Sequence, residues 1–292
     1  LPNENMVNFT RPLIMGVINI TPDSFSDGGK FLDSNEALNH ALELVREGAN
    51  IIDLGGESTR PGALRVKLDE EQARVLPVIE ALMNNSEFKA SGAIISIDTM
   101  NAETAALAVA AGAAIVNDVS GGLADEQMFA KLKDLNCKYI VSHWRGFSET
   151  MDSMNNYTSV AKDVAEELIE RVAKAEAAGI SRDRLIIDPG LGFAKDIAQN
   201  WHLVARLDEL EKLELPILVG ASRKRFLAGA LEPEDAAGVS NQRRDLATAV
   251  LTALLLQRKL WGVRVHNVST TLDAIKVVEA LAFANEESNG QS

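Results

Sequence analysis

Asn19, Asp53, Asp98, Asn117, His143, Asp188 and His266 each stand where a short apolar run ends. Runs of that kind make strands buried on both faces. A single Asp or Asn after a strand usually caps the next helix. Several at the same end of different strands need another explanation, because polar groups aimed into one mouth require partners or a ligand. The fullest stretch runs from Ile51 to Gly62. It begins apolar, passes Asp53, breaks at Gly55-Gly56 and then presents Glu57, Ser58, Thr59 and Arg60 before Pro61-Gly62. A strand that spills a carboxylate, hydroxyls and a guanidinium into a loop reads as one βα-loop of an active site; an ordinary strand and turn is the alternative. No His/Cys cluster has zinc-ligand spacing, and no Ser-His or Cys-His nucleophile pair stands out. His40 and His202 fall on helical patterns and read as surface residues, whereas His143 reads as structural.

These residues are positioned by strands that start near 13, 51, 93, 114, 138, 184, 216 and 262, with helical patterns between them. Asp33 and Glu36 form a capping pair for the first helix, which Gly48 stops. Pro77 should kink or restart the second helix. Further helices are predicted over 102–111, 125–135, from 160, over 197–211 and from about 271, with a frayed polar tail from about 285. The run Ser222-Arg-Lys-Arg-Phe226 can open a short extra helix. Eight βα units predict an α/β fold, a (β/α)8 TIM barrel in a single domain over 1–292, with the barrel proper at about 13–285. A doubly wound open sheet is the alternative, weakened because no Gly-x-Gly-x-x-Gly follows the first strand.

The chain has 292 residues, 46% of them apolar, and 29 basic against 42 acidic residues for a net charge of −13. That balance argues for solubility and against nucleic acid or an anionic membrane as partner. An anionic substrate must then be held by local cations. The one cysteine, Cys137, excludes an internal disulfide and suits a reducing cytoplasm. The N-terminal stretch lacks the regions of a signal peptide. The longest apolar helical stretch, Leu246 to Leu256, is far short of the roughly 18 residues of a membrane span.

The motifs Met15-Gly-Val-Ile-Asn-Ile-Thr-Pro-Asp-Ser-Phe-Ser-Asp-Gly-Gly29 and Asp53-Leu-Gly-Gly-Glu-Ser-Thr-Arg-Pro-Gly62 resemble the two signatures of the dihydropteroate synthase family. Asp188-Pro-Gly-Leu-Gly-Phe193, Gly220-Ala-Ser-Arg-Lys224 and Arg264-Val-His266 extend the match over nearly the whole chain. The resemblance implies a transferase of folate biosynthesis, which condenses 6-hydroxymethyl-7,8-dihydropterin pyrophosphate with p-aminobenzoate to give 7,8-dihydropteroate and pyrophosphate. It implies a cytoplasmic homodimer, inhibited by sulfonamides, with small-molecule substrates.

A pterin offers N–H donors in a guanidine-like edge, which a carboxylate accepts in a two-pronged way; Asp188 is the residue for that edge. By resemblance, Asp98 and Asn117 complete the pterin pocket and Lys224 donates to a ring acceptor. Asp53 is expected to be a buried scaffold residue. Arg264 and His266 are two apart on one strand and point the same way. They can present a guanidinium fork and an imidazole to pyrophosphate, with Asn19 beside them. Mg2+ is the expected metal, largely held by the substrate's phosphates, with Asn19 matching the family's metal-associated asparagine and Asp27 a second candidate. Phe25, Thr59, Arg60, Pro61, Phe193 and Ser222 would shape the p-aminobenzoate pocket as the first two loops close. The expected catalytic set is Asp98, Lys224, Arg264 and His266, acting in a dissociative substitution.

The chain departs from the family pattern at Ser142-His143-Trp144, where Met-His-Met is common. It departs again at Ala194, in place of a Gly, and at Asn267, in place of a frequent Asp. Two other readings share the pterin pocket: a methyltransferase barrel that serves a corrinoid protein, and a non-catalytic pterin-binding paralogue. The Ser222-Arg-Lys224 motif and the Thr59-Arg60-Pro61 loop speak against the first.

Overall fold

In the computed structural model the strands alternate inward and outward side chains with period two, and that alternation sorts the whole core. Residues 11–20, 30–57, 65–147 and 151–289 are described. The strands are β1 (Leu13–Asn19), β2 (Ile51–Gly55), β3 (Ile94–Asp98), β4 (Ile115–Asp118), β5 (Lys138–Ser142), β6 (Leu185–Asp188), β7 (Ile217–Val219) and β8 (Leu260–Val265). Each pairs in parallel with the next, and β8 pairs with β1, closing the barrel. The (β/α)8 architecture is therefore as the sequence predicts, and the open sheet is excluded.

Outward residues such as Ile14, Ile52, Ile97, Val141 and Ile187 join the large core beneath the helices. Inward residues Met15, Ile51, Ile115, Ile140, Ile186 and Leu218 form a separate apolar plug inside the barrel. Two residues further along the strands, the inward positions become polar: Asp53, Asn117, Ser142, Asp188. The interior is thus a packed floor with a polar layer above it, at the C-terminal ends where barrel active sites lie.

The helices are α1 (Lys30–Arg46), α2 (Leu68–Asn84), α3 (Ser86–Ser91), α4 (Ala102–Ala111), α5 (Met128–Leu132), α6 (Val160–Ala177), α7 (Ile197–Ala205), α8 (Asp208–Glu211), α9 (Arg225–Leu231), α10 (Asn241–Leu255) and α11 (Val268–Asn289). Several differ from the sequence reading. α1 starts before Asp33, so Asp33 and Glu36 lie within it rather than capping it. α2 runs unbroken through Pro77. Pro77 and Ala73 face solvent, so the carbonyl that loses its partner can meet water, while Val75, Val78, Ile79 and Leu82 keep the helix packed. The helix expected over 125–135 shrinks to α5 because Asp125 is occupied elsewhere: its carboxylate accepts Ala102 N at 2.8 Å and Gln127 N at 2.9 Å. The helix expected over 197–211 breaks into α7 and α8, and the last helix continues to Asn289 instead of fraying at 285. α9 is the short extra helix after β7, with Lys224 as its N-cap residue.

Candidate active site

Arg264 organises the polar layer. From β8 it reaches past β1, donating Nε to Asp53 Oδ2 at 2.6 Å and Nη2 to Asp98 Oδ2 at 2.7 Å. Asp53 Oδ2 also accepts Asn117 Nδ2 at 3.1 Å, which ties β2, β4 and β8 together. Asp53 is fully buried and holds the layer, as expected of a scaffold residue. One guanidinium between two buried carboxylates leaves a net negative charge. Burial pushes Asp98 up to about 7, against the pull of Arg264 and with the repulsion of Asp53. The next inward position after β2's Asp53 is Gly55, whose bare Cα leaves Asp98 and Asn19 room at the mouth: a Cβ there would lie 3.6 Å from Asp98 Oδ2 and 3.7 Å from Asn19 Oδ1.

Asp188 ends β6 on the same face. Its Oδ1 accepts Gly190 N at 2.7 Å, and its carbonyl accepts His143 N at 2.9 Å. Its Oδ2 takes no hydrogen bond from any described residue. Burial raises its pKa, opposed by the Gly190 N–H and by the charges of Lys224 and Arg264. Lys224 lies nearby with its ammonium 4.1 Å from the centre of the Phe193 ring. Burial, and then Arg264, bring Lys224 down to about 8. Ser222 Oγ lies 2.9 Å from His266 Nδ1 and accepts His266 N at 3.1 Å, so the β7 loop fixes the imidazole.

An apolar wall borders the mouth, made by Met100, Val119, Trp144, Met151, Phe193 and Ala194. A buried polar network stands behind it. Lys195 Nζ donates to Gly190 O, Phe193 O and His143 Nδ1, each at 3.0 Å, matching three acceptors to an ammonium's three protons. His143 Nε2 meets Glu167 Oε2 at 3.0 Å. Burial, and then Lys195, lower His143 to about 3, so the ring is neutral between the Lys195 amino group and the Glu167 carboxylate; burial also holds Lys195 well below the usual lysine range. Arg145 also binds Glu167 and lies over the Tyr157 ring at 3.8 Å. His143 is therefore structural, as its sequence context suggests.

Asn19, Asp98, Asn117, Asp188, Phe193, Ser222, Lys224, Arg264 and His266 all stand at this one mouth. Phe25, Asp27, Thr59, Arg60 and Pro61 lie outside the described residues. Two details differ from the sequence picture. The Arg264 fork is already engaged by Asp53 and Asp98, leaving Nη1 for a ligand, and Ser222 serves His266 before any substrate. Lys195 escaped the sequence reading because nothing in a lone loop lysine signals burial beneath two carbonyls.

The family described as pterin binding enzymes matches residues 15–266. The dihydropteroate synthase of Mycobacterium leprae is 45% identical over 275 residues, covering 94% of this chain and 95% of that protein. The structure of Xanthomonas albilineans dihydropteroate synthase with 4-aminobenzoic acid superposes with a TM-score of 0.83 at 39% identity, over 94% of each chain. The structure of the same enzyme with 7,8-dihydropteroate gives a TM-score of 0.80 at 37% identity, again over 94% of each chain. With the barrel, the polar mouth and these likenesses together, the chain belongs to the pterin-binding enzyme family, among its dihydropteroate synthases.

Proposed function

We infer that this barrel joins 6-hydroxymethyl-7,8-dihydropterin pyrophosphate to p-aminobenzoate, giving 7,8-dihydropteroate and pyrophosphate for folate biosynthesis. The observation that carries the reading is the buried Asp188 carboxylate, with one oxygen held by Gly190 and the other open to the mouth. A pterin's donor edge supplies the partners such a carboxylate needs. Related enzymes seen with 4-aminobenzoic acid and with 7,8-dihydropteroate support the same substrates here.

In this reading Asp188 takes the donor edge, Asn117 and Asp98 complete the pocket, and Lys224 donates to a ring acceptor while Phe193 forms the wall. The bond between the exocyclic methylene and pyrophosphate breaks first, and positive charge spreads into the ring. Asp98, ionised, stabilises that charge. Arg264 Nη1 and His266 face the departing pyrophosphate. The aryl amine then attacks the methylene and releases a proton. Phe25, Thr59, Arg60, Pro61 and Ser222 shape the p-aminobenzoate side.

Among the described residues no group of three or more His, Cys, Asp or Glu side chains can hold a metal. A single amide oxygen at Asn19 suits a hard cation that arrives on the substrate's own phosphates, and Asp27, outside the described residues, is the weaker candidate for a second oxygen donor. Mg2+ bound there would neutralise the leaving group. Leu246, Val250 and Leu254 on α10, with Val277 and Leu281 on α11, leave an apolar face that suits a second copy of the chain. The test is formation of dihydropteroate from both substrates with Mg2+. Product confirms the reading; pterin binding without product indicates the non-catalytic paralogue, and methyl transfer to a corrinoid protein indicates the methyltransferase.

A further inference from the structure

We propose that Ser142 is a pterin-binding residue of this chain, accepting the second N–H of the ring's 2-amino group beside Asp188. The assignment rests on the functional reading above.

Register places the residue. Ser142 on β5 pairs with Asp188 on β6, so the two side chains project from adjacent strands to the same side, about 4.8 Å apart at the backbone. The position below Ser142 on that side, Ile140, belongs to the apolar plug, which fixes the side as the barrel interior. The backbone around Ser142 is held rigidly. Its carbonyl accepts Arg171 Nη1 at 2.8 Å, Arg171 Nη2 binds Trp144 O, and His143 N donates to Asp188 O at 2.9 Å.

The hydroxyl itself is unused. Ser142 is 3% exposed, yet its Oγ makes no hydrogen bond with any described residue. Unlike Ser96 Oγ, which is sealed off and unpartnered, Ser142 Oγ keeps some accessible surface, so a group outside the protein can reach it. Neighbouring polar residues show the contrast: Asp118, turned outward from β4, has its carboxylate filled by Ser120, Gly122 and Tyr139. On the other flank of Asp188 lies Gly220, where even a Cβ would come within 3.5 Å of Asp188 Oδ2. That flank offers no side-chain acceptor. Once Asp188 takes N3–H and one proton of the 2-amino group, one N–H of that group remains. In a buried mouth it needs an acceptor; Asn117 Oδ1 is also unused by the described residues but lies on β4, whereas Ser142 Oγ is on β5, the strand that pairs with Asp188's own.

The experiment measures, by calorimetry, the Kd of 6-hydroxymethyl-7,8-dihydropterin and of the same ring lacking the 2-amino group, for wild type and Ser142→Ala. Thermal melts of the free proteins accompany it. Loss of one neutral hydrogen bond weakens pterin binding by about 2- to 12-fold. The ring without the amino group binds both proteins equally. The ligand-free variant melts at or above the wild-type temperature, because the hydroxyl supports nothing in the fold. Unchanged pterin affinity, an equal loss for both rings, or a lower melting temperature would overturn the assignment alone. A wild type that binds neither ring overturns the functional reading and this assignment with it.

Discussion

Asp98 and Asp188 are both buried carboxylates at strand ends, and their partners separate their roles. Asp188 has a fixed turn on one oxygen and an open site on the other, which suits it to ligand rather than to fold. Asp188→Asn keeps the Gly190 contact and loses the charge-assisted pair, so pterin affinity should fall by about 1.5–3 kcal/mol with little change in melting temperature. Undiminished affinity by calorimetry would remove Asp188 from the pterin site. Asp98 shares Arg264 with Asp53, and its pKa rises from 3.8 to about 7. The folded chain therefore binds this proton more tightly than the unfolded chain between those values. The Asp98 contribution to stability is full below about pH 4 and is lost as pH rises through 7. Asp98→Asn removes that loss. Its melting temperature relative to wild type should climb from pH 4 to pH 7 and level off above pH 8; a difference that does not change between pH 4 and pH 8 would mean that Asp98 is not raised. His143 does not disturb this comparison, since both proteins contain it. Both acids were legible in sequence, because each follows an apolar run. Their partners were not: Arg264 lies 166 positions from Asp98 and 211 from Asp53, and periodicity cannot register so distant a pairing.

At the scale of elements, the site depends on how the turn after β6 is seated against β5. Gly190 adopts φ +65°, and a Cβ there would stand 2.0 Å from His143 O. No rotamer relieves a clash between a Cβ and a backbone oxygen. Gly190→Ala should therefore displace the turn, cost more than about 3 kcal/mol, and remove pterin binding even where protein is recovered. Urea denaturation and pterin calorimetry measure the two effects, and near-wild-type values in both would refute this account of the turn. Lys195→Met probes the same turn from below. It leaves Phe193 O and His143 Nδ1 without this donor, while Gly190 O keeps Phe193 N at 3.1 Å, and one unpaired buried acceptor alone costs about 1–3 kcal/mol. A loss under 1 kcal/mol in denaturant would show that water substitutes for the ammonium. Element existence was readable from alternating runs and glycine stops, as the match of 102–111 to α4 illustrates. Element lengths were less so. Asp125 delays the start of a helical pattern by serving α4, and Pro77 fails to end one because packing outweighs a missing solvent-side hydrogen bond.

At the scale of the molecule, the barrel collects residues from eight strands into one mouth while the outer helices are free to meet other surfaces. The eightfold strand and helix alternation carried this architecture in the sequence, together with the polar strand ends. What the linear pattern did not convey was which outer helix faces stay uncovered, since amphipathicity alone does not say what covers an apolar stripe. Among the described residues no helix is long and apolar enough to cross a membrane. Leu246, Val250 and Leu254 on α10 are 59%, 51% and 67% exposed and recur every fourth residue, forming one stripe. Val277 and Leu281 on α11 are 69% and 64% exposed with the same spacing, and α10 packs beside α11. Contiguous exposed apolar surface on a chain with a net charge of −13 is costly to leave in water. A two-fold pairing of these helices against their copies covers both stripes at once. The chain should sediment as a dimer at micromolar concentration. Leu254→Glu combined with Leu281→Glu should give a monomer, because each dimer would then bury four carboxylates in an apolar seam. The substitutions sit far from the strand ends, so pterin binding per chain should survive. Sedimentation equilibrium decides the matter: a monomeric wild type, or a dimer indifferent to both glutamates, would place the interface elsewhere.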